Sequence, residues 1–103
     1  MKGNLKEYFD NGNILFEGNF LNGERNGKGK EYYNNGKLKY EGEYLNGIRN
    51  GKGKEYNEKE ELIFEGEYLK GKEWNGKGKE YNYKGELIFE GEFLNGEKWN
   101  GKA

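Results

Sequence analysis

The chain has 103 residues, a formal net charge of −1, 31% hydrophobic and 36% charged residues, and no Cys, His or Pro. That allows at most one small domain; because Ser, Thr, Gln and Val are also missing, the usual Ser, Thr and Cys nucleophiles, a histidine base, disulfides and structural zinc sites are excluded from it, and Glu, Lys, Tyr and Asp10 remain for chemistry. Burial must come mainly from nine Tyr, six Phe and two Trp.

Taken in order, the chain opens with an extended run, Asn4-Leu5-Lys6-Glu7-Tyr8, followed by Asn11-Gly12 and then Phe16-Glu17-Gly18-Asn19-Phe20. The same sentence is then rewritten three times. Gly27-Lys28-Gly29-Lys30-Glu31-Tyr32 leads through Asn35-Gly36 to Tyr40-Glu41-Gly42-Glu43-Tyr44. The run from Gly51 to Tyr56 leads through Lys59-Glu60 to Phe64-Glu65-Gly66-Glu67-Tyr68, and that from Gly76 to Tyr81 through Lys84-Gly85 to Phe89-Glu90-Gly91-Glu92-Phe93. The aromatic positions 16, 40, 64 and 89 are 24, 24 and 25 residues apart, a period that marks stacked repeats too small to bury a core singly. The expected fold is all-β: an elongated single-layer antiparallel meander of about four stacked hairpin repeats in one domain, 1–103, with units near 4–26, 27–50, 51–75 and 76–103.

Asn-Gly between short alternating runs predicts two-residue type I′ hairpins. With Asn35-Gly36 as such a loop, Lys30 faces Glu41 and Lys28 faces Glu43. The same offset pairs Lys6 with Glu17, Lys54 with Glu65, Lys52 with Glu67, Lys79 with Glu90 and Lys77 with Glu92. It also sets Tyr8, Tyr32, Tyr56 and Tyr81 beside Leu15, Lys39, Ile63 and Ile88; a three-residue turn is the alternative and shifts the pairings by one. The opposite face then collects Ile14-Phe16-Gly18-Phe20, Leu38-Tyr40-Gly42-Tyr44, Leu62-Phe64-Gly66-Tyr68 and Leu87-Phe89-Gly91-Phe93, the expected core. Segments beginning at Leu21, Leu45, Leu69 and Leu94 are read as the loops joining hairpins, the last two lengthened by Trp74 and Trp99.

Tyr40 to Gly53, reading Tyr-Glu-Gly-Glu-Tyr-Leu-Asn-Gly-Ile-Arg-Asn-Gly-Lys-Gly, resembles the MORN repeat family. It departs in its longer unit and in Asn50, where a His is common. The resemblance implies an elongated sheet of hairpins with roles in scaffolding, dimer formation, protein binding and membrane-lipid association, and no catalysis. The short aromatic-Gly units are also similar to bacterial antitoxin-type proteins.

The functional expectation is a non-enzymatic protein-binding or scaffolding module, without catalytic, cofactor or metal residues, that meets a partner protein or a second copy of itself. Its candidate contact residues are Phe20, Tyr44, Tyr68 and Phe93 on the aromatic face, Trp74 and Trp99 in the longer loops, and Arg25 and Arg49, since aromatic side chains and Arg dominate interface anchors. The alternatives are a small bacterial or phage inhibitor of the antitoxin kind, and lipid attachment through the edge carrying Arg25, Arg49, Trp74 and Trp99. Interleaved Lys and Glu argue against nucleic acid. With no apolar run of signal or spanning length, the expected location is cytoplasmic. With strand-like ends open at Asn4 to Tyr8 and at Gly101-Lys102-Ala103, a homodimer or a heteromeric contact that covers the C-terminal edge or the aromatic face is expected.

Overall fold

A computed structural model describes residues 2–99. Nine strands run in chain order as one antiparallel sheet: β1 Lys2–Tyr8, β2 Ile14–Leu21, β3 Glu24–Tyr32, β4 Leu38–Leu45, β5 Ile48–Tyr56, β6 Leu62–Leu69, β7 Lys72–Tyr81, β8 Leu87–Leu94 and β9 Glu97–Trp99. The sheet is a single layer, 49 × 29 × 13 Å, and each strand pairs only with its sequence neighbours. The stub Gly101-Lys102-Ala103, on which the expected open C-terminal edge rests, lies outside the described residues.

Type I′ turns occur, but at the end of the sheet opposite to the one predicted. Asn22-Gly23, Asn46-Gly47, Lys70-Gly71 and Asn95-Gly96 all have positive φ at both residues, 51° and 89° at Asn46-Gly47 for example. The segments read as joining loops are therefore hairpins, and Trp74 and Trp99 stand in β7 and β9 rather than in lengthened loops. The turns predicted as I′ are three-residue loops. At Asn34-Asn35-Gly36 the Gly36 N–H donates to the Tyr33 carbonyl (2.9 Å), the Tyr33 N–H donates to the Lys37 carbonyl (2.8 Å), and only Gly36 has positive φ. In the β5–β6 loop a non-glycine, Glu60, takes that position with φ 67°.

A three-residue turn alone would slip the register by one, and a bulge slips it back. Tyr32 faces Leu38 whereas Glu31 faces Tyr40, so Lys39 is the extra residue. Leu15, Ile63 and Ile88 play the same part in β2, β6 and β8, which corrects the pairings expected for Tyr8, Tyr32, Tyr56 and Tyr81. Beyond the bulge every expected Lys–Glu pair is in place, and Gly29 faces Gly42. The bulge also turns Ile14, Leu38, Leu62 and Leu87 away from the aromatic face, and Leu15 packs on the core in place of Ile14.

The core is a row of rings lying on glycine backbone. A Cβ on Gly29 would sit 2.5 Å from Phe16, one on Gly53 2.5 Å from Tyr40, and one on Gly78 2.6 Å from Phe93, so only glycine admits the rings. Phe20, Phe16, Tyr44, Tyr40, Tyr68, Phe64, Phe93 and Phe89 meet edge to face in an unbroken series, with centroids 5.1–6.3 Å apart. Backbone bonds tie each turn to the previous repeat: Gly47 N–H to the Arg25 carbonyl, Gly71 to Arg49 and Gly96 to Trp74, each 2.9 Å.

At β6–β7 the repeat falters. Gly66 faces Gly76, where Gly18 and Gly42 face Gly29 and Gly53, the glycines of the second Gly-Lys positions; the corresponding residue in β7 is Gly78. Trp74 is the extra residue of this strand, unmatched between Glu67↔Asn75 and Tyr68↔Glu73.

Candidate partner-binding face

Because side chains alternate along a strand, the ring face and its reverse carry different chemistry. On the ring side an acidic and basic ladder closes over the aromatics. Arg25 lies 4.1 Å from the Phe16 ring centre and Arg49 4.2 Å from that of Tyr40. Arg25 pairs with Glu7 (2.9 Å), and Arg49 bridges Glu31 (3.0 Å) and Glu55 (3.3 Å). Tyr44 and Tyr68 donate their hydroxyls to Glu31 and Glu55. Burial alone would raise the Glu31 pKa, but hydrogen bonds from Arg49 and Tyr44 and the charges of Arg49 and Arg25 hold it below the ordinary carboxylate value. Phe16 and Tyr40 are fully buried under this cover although the sheet has one layer, and Phe64 is fully buried next along the row.

The candidate contact residues distribute unevenly. Tyr44, Tyr68 and Phe93 belong to the core, and Phe20 packs against it. Arg25 and Arg49 are engaged in the ladder. Trp74 is half-buried, and its ring stands beside Gly96 in the following turn. Trp99 is half exposed on β9.

The open space is on the reverse face. A groove of about 1420 Å³ runs across β1 to β6, its floor the backbone of Gly18, Gly29, Gly42, Gly53 and Gly66. Two rows of alternating charge flank the floor. Lys6, Glu17, Lys30, Glu41, Lys54 and Glu65 form one, and Lys28, Glu43, Lys52 and Glu67 the other. Their ion pairs are loose and half exposed, 3.7 Å for Lys30–Glu41 and 3.9 Å for Lys54–Glu65, so the side chains are free to exchange partners.

Apolar borders lie outside the charged rows. By alternation Tyr32, Leu38, Tyr56 and Leu62 follow on one side, Leu45 and its partner Ile48 on the other, both about half exposed. Tyr32 donates its hydroxyl to Glu17 (2.6 Å), which confirms the face it occupies; burial and then Glu17 push its pKa up to about 12. In the sequence, alternating Lys and Glu on a strand read as an ordinary solvated face. The signal available was their recurrence in step with the glycines.

Models of the MORN repeat match residues 16–37 and 40–58, and a MORN repeat variant matches residues 1–22. The chain belongs to the MORN repeat family. Past residue 58, β5–β6 and β7–β8 keep the pairings of β3–β4, and β6–β7 departs from those of β2–β3 and β4–β5. No curated protein and no solved structure matches it. MORN repeats generally serve as protein- or membrane-binding modules and are not typically catalytic. Among the described residues no group of three or more His, Cys, Asp or Glu is arranged to hold a metal.

Proposed function

We propose that this MORN protein is a non-enzymatic protein-binding module whose reverse-face groove receives an elongated partner segment lying across the strands. The observation that carries this reading is the groove itself, long, open, and walled by two rows whose sign changes at every strand. Strands repeat every ~4.8 Å and an α-helix every ~5.4 Å, so a helix laid across them meets about one strand per turn over several turns. The complementary partner is a helix bearing Glu and Lys in alternation at three- to four-residue spacing, with apolar residues flanking that stripe toward the Tyr32 and Leu45 borders. Attachment to anionic lipid is less well supported, because Arg25 and Arg49 are committed to carboxylates and rings.

Photo-cross-linking tests the groove. A benzophenone amino acid replacing Lys52, exposed in native lysate, is expected to give an adduct with a second protein, while one replacing Glu60 at the turn tip gives none. The adduct should vanish when Lys30→Glu and Lys54→Glu are added. Equal adducts from both positions, adducts only of a second copy of this chain, or none at all would overturn the reading.

A further inference from the structure

In the first two repeats the residue two places after the I′ glycine is arginine, Arg25 and Arg49, facing Phe20 and Tyr44 across the strands. In the third the same place, facing Tyr68, is Glu73. The ladder Glu7, Arg25, Glu31, Arg49, Glu55 thus arrives at a second carboxyl where a cation belongs. Glu55 already pairs with Arg49 (3.3 Å) and accepts the Tyr68 hydroxyl (2.8 Å). Glu73 can hydrogen-bond to Glu55 only as the neutral acid, its carboxyl O–H donating.

The charged and titratable groups that act most on Glu73 come from its own and the two preceding strands. Glu55 and Arg49 approach from β5 and Tyr68 from β6; Glu80, on β7 itself, is bound by Lys98 of β9 at 2.5 Å. The nearby cation Arg49 is shared with Glu31 and Glu55, and Lys98 is occupied by Glu80. This site coincides with the β6–β7 junction, where the glycine register is displaced and Trp74 is the unmatched residue. The groove of β1 to β6 also ends there, at Glu67.

We infer that the Glu55–Glu73 pair is a proton-dependent latch: one shared proton fastens strands β7–β9 to the preceding repeats, and its loss sets two carboxylates against each other and loosens that junction. Burial, and then the charge of Glu55, push Glu73 up to about 7, which places the change near neutral pH. The chain has no His or Cys to titrate in the same range. The latch stands independently of the groove reading.

Hydrogen exchange, expressed as protection factors so that the intrinsic pH dependence is removed, tests it on the intact protein. Between pH 6 and pH 8, β7 amide protection should fall roughly tenfold, because one unit below a pKa of about 7 the bound proton favours the closed state about tenfold over an open state that does not hold it, and one unit above that pKa the advantage is gone. Protection in β3–β5 should hold steady. Glu73→Gln, whose amide still donates to Glu55 but does not titrate, should make β7 protection flat, and Glu73→Arg should make it flat and high by restoring the ladder. Constant β7 protection in the parent protein, or an undiminished pH response in Glu73→Gln, would overturn the latch.

Discussion

The guanidinium of Arg49 lies 4.2 Å from the centre of the Tyr40 ring while that ring rests on the backbone of Gly53. Backbone, ring and charged lid are three levels of one core within a 13 Å sheet. This stacking substitutes for the second layer that most sheets need, and its weak points can be named.

The glycine level is the least forgiving. Gly53→Ala puts a methyl 2.5 Å from the Tyr40 ring, and Gly42→Val meets the Lys52 carbonyl at a similar distance. Each should destabilise by about 1–3 kcal/mol through overpacking, read as a lowered urea midpoint. Gly3→Ala, with no atom within 4 Å, should leave the midpoint unchanged.

Removing the lid strands its carboxylates. Arg49→Leu leaves Glu55 without its cation and Glu31 with Arg25 alone at 4.0 Å, and should cost about 2–3 kcal/mol in the same measurement. Lys30→Ala, which breaks a half-exposed pair at 3.7 Å, should cost less than about 0.5 kcal/mol.

Stability should fall as pH rises toward neutrality. The folded state keeps the Glu73 proton up to about 7 while the unfolded chain loses it near 4.5, so in that window the folded state binds more protons and stability declines with pH. After allowance for solvent screening the decline is about 1 kcal/mol, and Glu73→Gln should remove it from urea melts at pH 5 and pH 7.5. Glu31 has the opposite sign: its lowered pKa contributes stability above its ordinary value, lost as pH falls through the folded one.

The repeat, the sheet class and the ion-pair register were legible because charge, aromatic ring and glycine recur together, and a single offset satisfied every copy. The turn chemistry was harder to read. Asn-Gly stands at both ends of the strands, and Asn35-Gly36 and Asn46-Gly47 differ only in how many residues close the loop. The bulge at Lys39 compensated the miscounted turn, so Lys30 met Glu41 as expected while Tyr32 met Leu38 instead of Lys39. For the candidate site, ring count pointed to Tyr44 and Tyr68 as contacts, yet on a single-layer sheet those rings are needed to cover glycine. The groove depends on which face is left uncovered, and no single residue announces that.

Chemical-shift mapping of the cross-linked partner's binding segment on the ¹⁵N-labelled protein tests the central claim most directly. The account predicts the largest changes at the amides of Gly18, Gly29, Gly42, Gly53 and Gly66 and of the flanking Lys and Glu residues, with the ring-side neighbours of Arg25 and Arg49 little affected. Changes centred on Arg25, Arg49, Trp74 and Trp99, with the glycine row silent, would contradict it.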